Sequence, residues 1–62
     1  MKTENITKAA LTAEMLLHEL RAAHRDAIES GNQFAETYVR GLIGNAQSLS
    51  YEILKASDMA KG

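Results

Sequence analysis

The sequence predicts an all-α protein, an antiparallel two-helix hairpin with helices at about 4–30 and 33–60 that dimerises into a four-helix bundle. Three observations carry this expectation. No proline interrupts the 62 residues, and alanine, leucine, glutamate and lysine, all good helix formers, are abundant. Apolar residues recur at heptad spacing in both halves of the chain. The clearest punctuation is Ser30-Gly31-Asn32, near the middle.

The first helix has three competing N-caps in Thr3, Asn5 and Thr7. Its seam reads Ile6, Ala10, Ala13, Leu17, Leu20, His24 and Ala27, and only His24 departs from apolar character. Ala9, Leu16 and Ala23 widen this seam on one flank. At the turn, Gly31 is suited to the positive φ that ends a helix, and Asn32 can cap the next helix through its side-chain oxygen. So short a break joins antiparallel neighbours.

The second helix has the longer seam. Ala35, Val39, Leu42, Ala46, Leu49, Ile53, Ala56 and Ala60 step by 4, 3, 4, 3, 4, 3, 4, and all eight are apolar. Folding the chain at Gly31 sets Ala10 near Ile53, Ala13 near Leu49 and Leu17 near Ala46, so that small meets large in successive layers. Gly41 and Gly44 fall inside this helix, and Gly44-Asn45 repeats the Gly31-Asn32 pair. A three-helix alternative (about 6–29, 33–43 and 46–60) follows if that second pair is also a stop. The heptad phase runs through both glycines without a slip, which favours one continuous helix. In that reading Gly41, Gly44, Asn45 and Ser48 form a small-residue patch for close helix approach or a gentle bend.

Leu11, Met15, Ile28, Phe34, Ile43, Tyr51 and Leu54 lie outside both seams. Two helices have one shared face, so these side chains call for a second hairpin or another protein. With Tyr38 they are the candidate dimer or partner contacts. The aromatics Phe34, Tyr38 and Tyr51 read first as packing residues with both hydroxyls at the surface, and second as an exposed anchor for a host or partner protein.

Composition narrows the function. A chain of this length makes one domain, 1–62, and buries a modest fraction of its surface on folding. The formal net charge is −1, with four positive and five negative residues in 1–30 and three of each in 31–62. Nucleic acid is therefore a possible but not a favoured partner. No run suits a membrane span, and the N-terminus lacks the pattern of an export signal, so a cytoplasmic location is expected.

The candidate chemistry is sparse. Cysteine is absent and only two histidines are present, so no disulfide is possible. His18-Glu19-Leu20-Arg21-Ala22-Ala23-His24 invites comparison with HExxH, but the second histidine is six residues on rather than four, so the two cannot share a metal. No metal, cofactor or catalytic set is expected, and no enzyme. His18, Arg21 and Arg25 share one helix face, with Arg40 a candidate addition. That face reads as a solvated surface offset by Glu14, Asp26 and Glu29, or as a contact for phosphates or an acidic protein. His24 reads as a boundary histidine with one nitrogen on water or a carboxylate; the sharper alternative is a pH-sensitive contact.

The stretch Ala13 to Gln33, AEMLLHELRAAHRDAIESGNQ, resembles small accessory proteins encoded in the early regions of lambdoid bacteriophages. The resemblance implies a nonenzymatic helical protein of the host-cell cytoplasm that modulates phage development or a host factor. In length and hairpin shape the chain is also similar to the small plasmid RNA-binding four-helix bundle that regulates copy number, a likeness of shape that does not transfer function. The leading expectation is a regulatory module that binds a protein through a helix face. The alternative is an RNA or DNA binder using the Arg21/Arg25 face.

Overall fold

The computed structural model describes residues 2–61, which form two α-helices, α1 (Glu4–Glu29) and α2 (Gln33–Lys61), packed as a hairpin. There is no strand among the described residues. The helices have 26 and 29 residues. At a 1.5 Å rise they are about 39 and 44 Å long, which accounts for Cα extents of 47 × 14 × 9 Å. The molecule is one helix thick. Its radius of gyration is 14.4 Å, against about 11 Å for a compact domain of this length.

Gly31 makes the turn possible. Its φ of 70° is the only positive φ among the described residues, and glycine reaches that region without the penalty a Cβ brings. The reversal lets Gly31 N–H donate to Ile28 O at 3.1 Å and Asn32 N–H donate to Ala27 O at 3.1 Å. This pair of bonds is the Schellman closure, which satisfies carbonyls left open at a helix end. Ser30 adds its backbone N–H and its hydroxyl to Asp26 O, at 2.9 and 2.8 Å. Asn32 then opens α2: its Oδ1 accepts from Ala35 N–H at 3.1 Å, three residues on. At the other end, Thr3 precedes α1 without a side-chain cap bond, and its carbonyl accepts from Thr7 N–H at 3.0 Å.

α2 passes through Gly41 and Gly44 unbroken, so the three-helix alternative is not the fold. Both glycines, with Asn45 and Ser48, are exposed. A Cβ built on either glycine would meet nothing within 4 Å. The expected close approach at this patch is therefore corrected: α1 does not lean on it.

The α1 seam is realised in full. Ala13 and Ala27 are buried and Ile6, Ala10, Leu17, Leu20 and His24 are half-buried. The flank is realised in part, because Ala9 is half-buried while Leu16 and Ala23 are exposed. Seven of the eight α2 seam residues also turn inward, with Ala46 buried. Leu49 departs, at 52% exposure. Ser57 is buried in its stead, at the end of the row Glu36, Ile43, Ser50, Ser57, whose first three members are half-buried. The exposure at Leu49 is local, because Ala56, seven residues on in the same row, is half-buried again, and the neighbouring row is already half-buried at Glu36 and Ile43. Ala46 and Ser57, the buried residues of α2, are eleven apart, a spacing closer to the natural pitch.

The buried residues among those described (Ala13, Ala27, Ala46 and Ser57) are all small, and no large side chain among them is fully buried. The accessible surface is 4859 Å². A compact monomer of 6.8 kDa would expose about 3,950 Å², so the hairpin shows about 900 Å² more than its mass requires.

Two glycine substitutions test this fold in opposite directions. Gly44→Ala should stabilise by about 0.8–1 kcal/mol, because α2 gains helix propensity and the new methyl meets open space. Gly31→Ala should destabilise by about 1–2 kcal/mol through its positive φ. Thermal melts followed by circular dichroism should show the midpoint rise in the first case by about 4–8 °C and fall at least as far in the second.

Candidate interaction surfaces

The best-connected polar site ties α1 to α2 beside the turn. His24 reaches across from the α1 seam, and its Nε2 lies 2.9 Å from Glu36 Oε1, so the ring donates to the carboxylate. Arg40, one turn further along α2, donates to the same Glu36 oxygen. Thr37 Oγ1 adds a 3.3 Å bond to Oε2. The side chains of His24 and Glu36 are 23% and 18% exposed, while Arg40 stands at 66%. The Arg40 guanidinium first, and His24 second, hold the Glu36 carboxyl below the ordinary glutamate range. This is the boundary-histidine arrangement, with one ring nitrogen on a carboxylate.

The consequence for the basic face is direct. His18, Arg21 and Arg25 are exposed on one side of α1, as the i, i+3, i+7 spacing requires. Arg40, 66% exposed, is paired with Glu36 on its own helix rather than grouped with the α1 basic residues.

The eight candidate apolar contacts do not converge. Seven are exposed and Ile43 is half-buried. Phe34 and Ile43, nine residues apart on α2, lie on opposite sides of that helix. Phe34 is 91% exposed at the start of α2. Leu11 and Met15 do come together, in a shallow depression on α1 edged by Glu14, His18 and Glu19. Ile28 lines another depression at the turn, with Ala27, Gln33 and Glu36. Tyr51 lies under Lys55, whose Nζ is 5.7 Å from the ring centroid, and Lys55 also stands 3.8 Å from Glu52. Leu54 is exposed one turn past the half-buried Ser50.

A surface whose residues are divided in sequence between seam and flank is continuous here. Leu16 and Leu20 of α1 and Leu42, Asn45 and Leu49 of α2 line an open groove of about 290 Å³ floored by Ala46. Leu16 and Leu49 are half out of the hairpin, at 46% and 52% exposure. The sequence signal for this groove was Leu16 on the α1 flank beside the seam leucines Leu20, Leu42 and Leu49, and the spacing alone did not show that Leu49 stands half out of the hairpin. Met59, exposed near the end of α2, is absent from the sequence-based candidates. It lies fourteen residues after Asn45, two heptads on, and so extends the same side of α2.

Among the described residues no group of three His, Cys, Asp or Glu side chains could hold a metal ion. No helix of the described residues is long and apolar enough to cross a membrane. Comparison with protein-family models, curated proteins and solved structures finds no match to this chain.

The Glu36 site makes a pH prediction with a definite sign. A carboxyl held below its unfolded value stabilises the fold above that value, and the contribution fades as pH falls below about 4. Glu36→Gln should lower the melting midpoint at pH 7 and shrink the difference between pH 7 and pH 3. Equal acid sensitivity in the variant and the parent, followed by circular dichroism, would count against the assignment.

Proposed function

We propose that this chain is a nonenzymatic interaction module, working as a pair of hairpins, that binds another protein through an exposed helix face. The observation that carries the reading is the inversion of size across the fold. Among the described residues ten large hydrophobic side chains stand exposed, while the buried residues are alanines and one serine. Exposed apolar clusters with polar rims mark protein-binding sites. The Leu11–Met15 depression is such a cluster, and its rim of Glu14, Glu19 and His18 supplies polar contacts of the kind that surround buried anchors. Its chemistry suits an amphipathic helix carrying apolar anchors and basic flanks. The resemblance of residues 13–33 to phage accessory proteins points to a host or phage regulatory protein as that partner, met in the host-cell cytoplasm.

Nucleic-acid binding through Arg21 and Arg25 is the competing outcome, and the formal net charge of −1 together with the engagement of Arg40 weighs against it. Capture from bacterial lysate with the tagged chain, with and without nuclease, separates the two. The expected result is a protein retained after nuclease treatment and lost with Met15→Glu, but kept with Asp58→Asn at the far end of α2. Capture that disappears with nuclease, or that weakens steeply between 50 and 200 mM salt, would transfer the function to nucleic acid.

A further inference from the structure

We infer that the leucine groove is the face on which a second copy of this chain seats, with a two-fold axis passing near Asn45. This inference rests on the pairing proposed above and assigns it a surface, leaving the Leu11–Met15 depression free for a different protein.

The area comes first. The hairpin exposes about 900 Å² beyond a compact monomer of its mass, close to the roughly 800 Å² that each partner contributes to a standard stable interface. The groove is one apolar part of that exposed surface. It is lined by four leucines, an alanine and one amide, and no charged residue lines it.

Three features select a second copy over an unrelated protein. An isologous interface sets a patch against itself, so like charges near the axis would meet. The groove carries none, whereas the opposite side of α1 would set His18, Arg21 and Arg25 against their own copies. The groove also lies at mid-length: Leu16 is near the middle of α1 and Asn45 near the middle of α2. A two-fold through that point overlaps both hairpins along most of their length. Finally, the one polar side chain in the groove is self-complementary. An amide both donates and accepts, so two copies of Asn45 can satisfy each other across the axis, as a single buried asparagine does when it sets register between packed helices. Gly41 and Ser48, on the same side of α2 as Asn45, keep the approach low.

The test uses the full chain. Light scattering at high micromolar concentration should give twice the 6.8 kDa chain mass. Leu16→Glu/Leu49→Glu should return it to the single-chain mass, with helical circular dichroism retained because both side chains are already half exposed. Leu11→Glu/Leu54→Glu should leave the dimer intact. The chain has no cysteine, so Asn45→Cys provides a readout independent of those variants. Mild oxidation should convert most of it to a covalent dimer, while Gln47→Cys should stay largely without a covalent cross-link. A dimer that survives Leu16→Glu/Leu49→Glu and dissociates with Leu11→Glu/Leu54→Glu would overturn the groove assignment and leave pairing itself standing. A single-chain mass for the parent, with no cross-link at Asn45→Cys, would overturn both.

Discussion

Two helices packed side by side share one stripe each, and everything else in this molecule follows from that limit. A layer one helix thick cannot enclose a leucine from all sides. The residues it can enclose are those that let the helices come close, and these are Ala13, Ala27, Ala46 and Ser57. The larger side chains on the seams, such as Leu17, Leu20 and Ile53, cover the stripe from its edges and stay half-buried. What remains must face outward, and it does so on several sides. Among the described residues the hairpin therefore keeps its large apolar side chains at the surface and its small ones inside.

Much of this architecture could be read from the residues. The stop at Gly31, the cap at Asn32, the continuity of α2 through its glycines and nearly all of both seams are local or periodic properties, and local chemistry determines them. The failure at Leu49 has a different origin. A 4, 3 alternation can be extended along a sequence indefinitely, whereas a real helix keeps its own pitch unless a supercoil bends it. Spacing alone does not state how much of each seam side chain is covered: Leu49 is 52% exposed, whereas the smaller Ala56 one heptad on is half-buried. Ser57, a polar residue outside the apolar seam, is buried as well. Its inward place is a property of its distance from Ala46, not of its chemistry.

The surface residues were legible only as a set. Listing the apolar side chains left over from the seams identified the right kind of residue, but Phe34 and Ile43 occupy opposite sides of α2, and only Leu11 and Met15 gather in one depression. Grouping requires the direction of each side chain relative to the hairpin plane, which composition and spacing along one helix do not state. His24 shows the reverse case. Its departure from an apolar seam marked it at once, and the acceptor it needed lay twelve residues on, in Glu36 across the turn. Arg40 was grouped by charge with the α1 basics, yet an acidic residue one turn away on its own helix claims it.

The turn has a consequence for how the chain reaches this shape. Asn32 closes α1 with its backbone N–H and opens α2 with its side chain, so one residue serves both helix ends. The His24–Glu36 bond lies only a few residues further out on either arm. Every contact needed to start the reversal thus spans a short loop, and closing a short loop is fast. Such a molecule assembles like a zip from the bend, with each successive layer bringing the next within reach.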